Sequence, residues 1–303
     1  MGMTKTELKK TVVKIKKLLK QRDYGNIDTG IELARGLNEP AVFEALLGGW
    51  YIYEGELSFF PNYTGESLTK RWSDESWPYF AYALVNLIGY APKDTKVDKS
   101  IKLSNIKRLD FKNNHFSKLP SVLSKFTNLT HLDLGSCRGL QDIDVLAKHL
   151  DLTYLNLSWC YNLKNLDGLS NCTNLTSLHL DHLNIQNVNF LTNLTKLTHL
   201  SLFECSDLQN VDGLINCINL SYLFLRDCRS LQNVDGLTNC TKLTSLNLYM
   251  CMGLRNVYGL ANLPNLENLD TMWSGITPKP YTDHLRNREE IAAYQEEIKK
   301  SMK

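Results

Sequence analysis

Apolar residues recur along much of this chain in two alternating patterns, one spaced by two residues and one by three. In the first, leucines flank a single residue, as at Leu223 and Leu225, which is typical of a β-strand with its leucines on one face. In the second, every third residue is apolar, as at Leu231, Val234 and Leu237, which favours 3₁₀ turns or polyproline-II segments. The chain therefore predicts short strands that alternate with tight turns.

The two patterns form a repeat of nearly constant length. Its first apolar residue falls at eight positions, spaced by 23, 23, 23, 22, 23, 23 and 23 residues: Ile106, Leu129, Leu152, Leu175, Leu197, Leu220, Leu243 and Leu266. A unit this short cannot bury its own leucines, so it has to stack on its neighbours as solenoid repeats do. We predict about eight coils, with a curved parallel β-sheet on the concave side and 3₁₀ or polyproline-II turns on the convex side.

Asp-Gly pairs recur at a fixed offset within the unit, at Asp167-Gly168, Asp212-Gly213 and Asp235-Gly236. Because this dipeptide is common in tight turns, we expect it to shape a turn in each coil.

The repeat core L-xx-L-x-L-xx-C/N resembles that of leucine-rich-repeat proteins. The short unit with three-residue spacing resembles the repeats of bacterial internalins, and the cysteine at the ninth position is similar to that of cysteine-containing repeats in F-box proteins. The resemblance covers residues 103–275. It implies an α/β leucine-rich-repeat solenoid, but a fold that serves many unrelated binding functions does not identify a partner.

All eight cysteines lie in the repeats. Five occupy the ninth position of their unit and three the twenty-first: Cys137, Cys160, Cys205, Cys228 and Cys251, then Cys172, Cys217 and Cys240. Because other units place Asn114 or Leu183 at the ninth position, we interpret both as packing positions filled by buried, reduced thiols. Zinc would need clustered ligands such as C-x₂-C, which are missing. Neighbouring coils are close enough for disulfides, although a reducing cytosol disfavours them.

The residues that flank the strand leucines should line the concave face, and many of them are aromatic, His, Arg or Met. A sheet with a purely structural role would favour Thr, Ser, Lys and Glu there, whereas Trp, Tyr and Arg are typical of interfaces. The predicted partner-binding residues are Tyr154, Trp159, His179, Asp181, His199, Phe203, Tyr222, Phe224, Arg226, Asp227, Tyr249 and Trp273. The alternative interpretation is that these rings suit a β-sheet and pack only on one another.

His179, Asp181, His182 and His199 also suggest a metal site. We expect none, because a strand would not direct His179 and His182 at one point.

The repeats, at residues 101–275, are expected to lie between an N-terminal α+β cap at 1–100 and a C-terminal helical cap at 276–303. The N-terminal cap is predicted to contain a lysine-rich helix at 4–22, a helix at Asp28–Leu37, a short helix through Leu46-Leu47, a hairpin at 50–60 and a helix at about 77–90.

At the other end, a charged helix is predicted at 282–300, with Leu285, Ile291, Tyr294 and Ile298 on one side. It either covers the last coil or projects toward a partner helix.

The bulk properties favour no special partner. The formal net charge is +2, no apolar run approaches the roughly 18 residues that span a bilayer, and no secretory leader is evident, so we expect a cytoplasmic protein. No catalytic or cofactor motif is present, and we expect no enzyme activity and no cofactor.

Three hypotheses follow from these observations. The first is a scaffold that binds a protein or peptide on its concave face. The second is association with nucleic acid or an anionic surface through the helix at 4–22. The third is an enzyme or regulator with its site in the N-terminal unit, near Trp50, Tyr53, Asp74 and Glu75.

Overall fold

The computed structural model describes residues 3–19, 24–47, 50–53, 56–59, 106–113, 117–119 and 121–303. The predicted helix at 77–90, together with Asp74 and Glu75, lies outside these ranges. The division into units at 1–100, 101–275 and 276–303 stays a prediction.

The N-terminal unit begins with three helices and a hairpin, as expected. They are α1 (Lys5–Leu19), α2 (Tyr24–Leu37), α3 (Pro40–Leu47), β1 (Trp50–Tyr53) and the antiparallel β2 (Glu56–Phe59). The helix α2 begins at Tyr24 rather than at the predicted Asp28. Buried Val12, Ile15 and Leu19 form the inner side of α1, which packs on α2 and α3.

Each coil of the repeat contributes one three-residue strand to a parallel sheet, which confirms the predicted solenoid. The strands are β3 (Arg108–Asp110), β4 (His131–Asp133), β5 (Tyr154–Asn156), β6 (Ser177–His179), β7 (His199–Ser201), β8 (Tyr222–Phe224), β9 (Ser245–Asn247) and β10 (Asn268–Asp270). Their central leucines pair in register, as Leu200 does with Leu223. Because these leucines point inward, every described coil buries its central strand leucine against the neighbouring coils.

The convex side is built from 3₁₀ helices, as the three-residue spacing predicts. Their ranges are Ser121–Lys125, Asp144–Lys148, Asp167–Asn171, Asn189–Leu191, Asp212–Leu214, Asp235–Leu237 and Tyr258–Leu260. A side-chain oxygen two residues earlier caps several of them: Asn233 Oδ1, for example, accepts a hydrogen bond from Asp235 N at 3.1 Å. This bond satisfies a backbone donor that the short helix leaves open.

The Asp-Gly pairs open these 3₁₀ helices, but their glycine is required for a different reason from the one expected. None of the three glycines has a left-handed φ. A Cβ at Gly236 would lie 2.1 Å from Val211 O, and one at Gly213 would lie 2.0 Å from Val188 O. Glycine is therefore needed because the backbone of the preceding coil passes too close for any side chain.

The cysteines link neighbouring coils through hydrogen bonds. All eight are buried and free of disulfides, which agrees with their interpretation as packing residues. Cys228 Sγ donates to Leu202 O at 3.2 Å and Cys251 Sγ to Leu225 O at 3.0 Å, in each case to the preceding coil. The convex thiols do the same more loosely, as between Cys240 and Leu214 O at 3.6 Å. Each thiol thus acts as a small apolar residue that also satisfies a buried carbonyl.

The C-terminal segment covers the last coil. The strand β11 (His284–Leu285) pairs antiparallel with β10, and the helix α4 (Arg288–Ser301) follows. The prediction of a helix from 282 was therefore wrong for Leu285, which lies in β11 instead. The other three predicted apolar residues, Ile291, Tyr294 and Ile298, are buried in α4. An antiparallel strand that covers a sheet edge removes the unpaired backbone groups on which another chain could pair.

Candidate functional site

Every coil turns sharply after its strand through a residue in the left-handed backbone conformation. These residues occupy the eighth position of the unit, with φ between 54° and 66°: Asn113, Ser136, Trp159, His182, Glu204, Asp227, Met250 and Trp273. None of them is glycine, although this conformation costs other L-residues about 1 kcal/mol or more. At Trp159, His182, Met250 and Trp273, along one edge of the sheet, the turn places a large side chain where a glycine or an asparagine would be less strained.

A continuous line of contacts runs along this edge from the third coil to the eighth. We call Trp159, His182, Phe203, Arg226, Tyr249 and Trp273 the edge row; each is contributed by a different coil. The ring centroids are 3.4 Å apart for the first pair, 5.0 Å for the second and 5.3 Å for the last. The Arg226 guanidinium bridges the middle of the row, 5.6 Å from the Phe203 ring and 4.5 Å from the Tyr249 ring.

The two ends of the edge row are the most open to solvent. The tryptophans Trp159 and Trp273 are 38% and 58% exposed. Between them, the His182 side chain is 10% exposed and its Nδ1 lies 2.9 Å from Glu204 Oε2. The edge row therefore has exposed apolar side chains at its two ends, and between them a largely buried histidine that contacts Glu204.

Acidic side chains next to the row hold its backbone in place. Asp181 accepts hydrogen bonds from the Phe203 backbone N, at 3.0 Å, and from the hydroxyls of Ser158 and Ser201. Asp227 is buried between two guanidiniums, with Arg226 at 3.4 Å and Arg229 at 3.3 Å. Both carboxylates thus have internal partners, and they position the row rather than project toward solvent.

A second set of rings lies at the centre of the concave face, on the strands themselves. His131 stacks on Tyr154, which also contacts His179 at 5.5 Å, and His199 stacks on Tyr222 at 4.6 Å. The small Ser177 separates the two groups, because it occupies the position between Tyr154 and His199 on the neighbouring strands. Tyr222 and Phe224 are 41% and 44% exposed.

The predicted site residues thus fall into three sets. Trp159, Phe203, Arg226, Tyr249 and Trp273 lie in the edge row. A second set lies on the central strands: Tyr154, His179, His199, Tyr222 and Phe224. The third set, Asp181 and Asp227, supports the row. The prediction omitted His182 from the partner-binding residues, although it occupies the same eighth position as Trp159 and Trp273.

Two other predicted features concern metals and the N-terminal unit. Within the described ranges, no group of three or more His, Cys, Asp and Glu side chains is arranged to hold a metal ion. The hypothesis of a site near Trp50 and Tyr53 stays a prediction, because it depends on side chains outside the described part of the chain. Across the same described ranges, no helix has the length and apolar character needed to cross a bilayer.

Comparisons with known proteins bear on the fold of the chain. The sequence model of the family described as Leucine Rich repeats (2 copies) matches residues 104–148. No curated protein matches the sequence.

Among solved structures, internalin C2 from Listeria monocytogenes is 23% identical with a TM-score of 0.50, and the match covers 65% of this chain and 84% of that one. The internalin InlF from the same organism is 23% identical with a TM-score of 0.47, covering 65% and 69%. The functional domain of InlJ, also from Listeria monocytogenes, includes a cysteine ladder; it is 24% identical with a TM-score of 0.44, covering 59% of this chain and 42% of that one.

The likeness to internalin C2 shows the fold alone, and the match to the family's sequence model gives that fold its name. Together with the repeat of 23 residues and the parallel sheet, they show that the chain has a leucine-rich-repeat fold, and its short units are similar to those of the internalins.

Proposed function

We propose that this protein is a non-catalytic scaffold that binds another protein or a peptide through the edge row and the adjoining concave face. The carrying observation is the edge row, which is unbroken over six coils and ends in two exposed tryptophans. Trp, Tyr and Arg dominate the binding energy of protein interfaces. A row whose members are already held by their neighbours would lose little side-chain entropy on binding.

The placement of the tryptophans favours binding over a purely structural role. A side chain that is kept for stability alone should not sit at a backbone position that strains it while more than a third of it stays exposed. Trp159 and Trp273 do both, with φ values of 66° and 56°. The backbone strain at these two positions must be offset by other interactions in the protein. Capture of a partner is the function that would favour keeping tryptophan there.

The competing interpretation is that the rings only pack on one another to stabilise the sheet. It predicts a large loss of stability when the ends of the row are removed. The binding proposal predicts the opposite, because replacing an exposed Trp by Asn relieves backbone strain at the left-handed position.

The test compares the wild type with the variant Trp159→Asn/Trp273→Asn by quantitative capture from native lysate, followed by mass spectrometry and by affinity measurement on the captured partner. We expect binding to fall by about two orders of magnitude, as hot-spot truncations do, with the melting temperature nearly unchanged. The double variant Leu150→Ser/Ile218→Ser is a matched control, because its exposed apolar residues (56% and 51%) lie away from the row. Undiminished capture of the partner by the edge-row variant would contradict the proposal.

A second candidate function is association with a phosphate-rich polyanion such as nucleic acid through α1. Six lysines of this helix, Lys5, Lys9, Lys10, Lys14, Lys16 and Lys17, are exposed. The apolar residues Val12, Ile15 and Leu19 are buried, so the helix is less suited to inserting into a membrane. This function would show binding that weakens steeply with salt and disappears when residues 1–22 are deleted.

The proposal includes a cytoplasmic location. A reducing compartment would maintain the eight unpaired thiols, which supports this location.

A further inference from the structure

The concave face contains a polar pocket at its C-terminal end, separate from the edge row. Its volume is about 270 Å³, and it is lined by residues of β8, β9, β10 and β11 and by Arg286. The pocket arises because large residues give way to small ones along the sheet: Phe224 on β8 is followed by Ser245 and Asn247 on β9. The covering strand β11 then closes the far side with His284.

The pocket offers more hydrogen-bond donors than the protein itself uses. The Arg286 guanidinium forms no ion pair within the described ranges, since only the Arg286 backbone N is engaged, by Glu290 Oε2 at 3.1 Å. The side chains of Ser245 and Asn268 likewise have no hydrogen-bond partner among the described residues. Asn247 Oδ1 accepts from Tyr249 N at 2.9 Å, which leaves its amide N–H groups to donate.

The carboxylate in the pocket already has hydrogen-bond partners within the protein. Asp270 Oδ1 accepts from the Met272 backbone N at 3.1 Å and lies 3.2 Å from His284 Nδ1. Among the described residues that line the pocket, the charged side chain without a partner is that of Arg286, and Ser245, Asn247 and Asn268 add hydroxyl and amide donors. Such a set suits a carboxylate, which an arginine can bind through two parallel hydrogen bonds.

We propose that this pocket binds the carboxylate of an acidic side chain, an aspartate or a glutamate, carried by the protein or peptide that the concave face captures. The inference rests on the proposed function, because it names the chemistry of that same partner. The volume is smaller than the roughly 300–1,000 Å³ of typical ligand sites and suits one side chain. The exposed Phe224 ring gives the methylenes of that side chain an apolar wall.

The test does not need the natural partner. The full-length chain, labelled with ¹⁵N, is titrated with N-acetyl-glutamate N-methylamide, and the side-chain amide signals of Asn247 and Asn268 are followed by NMR. We expect saturable shifts of both signals. Affinity should fall about tenfold or more for the matching glutamine derivative and for the variant Arg286→Gln, since each removes one charge of a charge-assisted pair.

Arg288→Gln is the matched control, because Arg288 is the next arginine along the chain but pairs with Glu267 and Asn265 outside the pocket. It should bind the glutamate derivative as the wild type does. Equal binding of the glutamate and glutamine derivatives, or equal binding by Arg286→Gln, would overturn the proposal. So would preferential binding of N-acetyl-alanine, whose only carboxylate is a chain terminus.

The two proposals fail in different ways. The edge-row variant Trp159→Asn/Trp273→Asn should bind the glutamate derivative normally, because neither tryptophan lines the pocket. If the pocket did not prefer the glutamate derivative but partner capture was intact, only the proposal of an acidic side chain would be contradicted. Partner capture that is insensitive to the edge row would count against the proposed function.

Discussion

A single glycine in each convex turn controls how closely two coils approach. At the same position of the unit, a Cβ would meet the preceding coil at 2.1 Å in Gly236 but only at 3.2 Å in Gly168. The coil before Gly168 contains the five-residue 3₁₀ helix Asp144–Lys148, whereas the coil before Gly236 contains the three-residue helix Asp212–Leu214. The same dipeptide is thus under different constraints in different coils.

Gly236→Ala should therefore destabilise the protein by about 1–3 kcal/mol, the range for overpacked cores, while Gly168→Ala should cost clearly less. Urea unfolding at equilibrium measures both. Gly36→Ala in α2 is the control, because open space surrounds that position and alanine there should stabilise the helix by up to about 1 kcal/mol. Equal effects at Gly236 and Gly168 would contradict the role of close approach.

His149 is a buried histidine in a column that otherwise holds apolar residues and thiols. It is 1% exposed, and neither of its ring nitrogens has a hydrogen bond of ordinary geometry. Phe126 and Cys172 occupy the same position in the coils on either side. Burial lowers the pKa of His149 below its ordinary value of 6.5, and the backbones of Phe126 and Leu123 only partly offset this effect.

This shift makes stability depend on pH in a defined direction. Below pH 6.5 the unfolded chain takes up a proton at His149 that the folded chain does not accept until a lower pH, so acid favours unfolding. His149→Leu should remove that loss. Its melting temperature relative to the wild type should rise as the pH falls from 8 to 5, measured by calorimetry. A difference that stays constant over this range would show that His149 is not responsible.

At the scale of elements, α4 takes the place of a further coil. In the interior coils, a convex thiol donates to a carbonyl of the preceding 3₁₀ helix, as Cys240 does to Leu214 O. Leu260 O occupies the same position in the seventh coil, and there Gln295 Nε2 of α4 donates instead, at 2.8 Å, and also reaches Leu263 O at 3.0 Å. The cap thus satisfies the acceptors that the end of the repeat would leave buried.

Gln295→Leu should therefore cost about 1–3 kcal/mol, the penalty for buried carbonyls left without a donor. Hydrogen exchange should locate the effect in β10 and α4, ahead of the central strands. Glu296→Gln is the comparison, because Glu296 is exposed and pairs with Lys299 on the same helix. Equal exchange in both variants would argue that the cap is held by its apolar residues alone.

At the scale of the whole molecule, the buried cysteines form two columns that run through the stack of coils. We expect these thiols to become accessible only when the solenoid unfolds. Burial raises the pKa of Cys205 and Cys251 to about 12 and that of Cys172 and Cys217 to about 11. Since the thiolate is the reactive form, these side chains should be inert at pH 8 until the solenoid opens.

A disulfide reagent such as DTNB at pH 8 should therefore modify the native protein no faster than it unfolds, and should titrate all eight cysteines in urea. The rate in the native state should rise with low concentrations of urea, because it follows the open population. Several thiols reacting at the rate of a free cysteine in native protein would refute the interpretation of these columns as buried packing.

The sequence was sufficient for the fold because its signal is repetitive. Eight units, with six spacings of 23 residues and one of 22, predicted the strands, the 3₁₀ turns and the burial of the cysteines. Helix boundaries were harder to predict where one turn of helix and a short strand have the same spacing of apolar residues. Leu285 was assigned to a helix on its spacing, yet it lies in β11, because pairing with the open edge of β10 outweighs a weak local preference.

The sequence by itself therefore determined the coil, its period and the faces of its strands, because each depends on residues a few positions apart. Only the tertiary structure decided which side chains meet across coils. The edge row joins residues more than 20 positions apart, and it forms because the left-handed turn at the eighth position directs His182 beside Trp159. The pocket around Arg286 likewise depends on β11 folding back on β10, which no local spacing encodes.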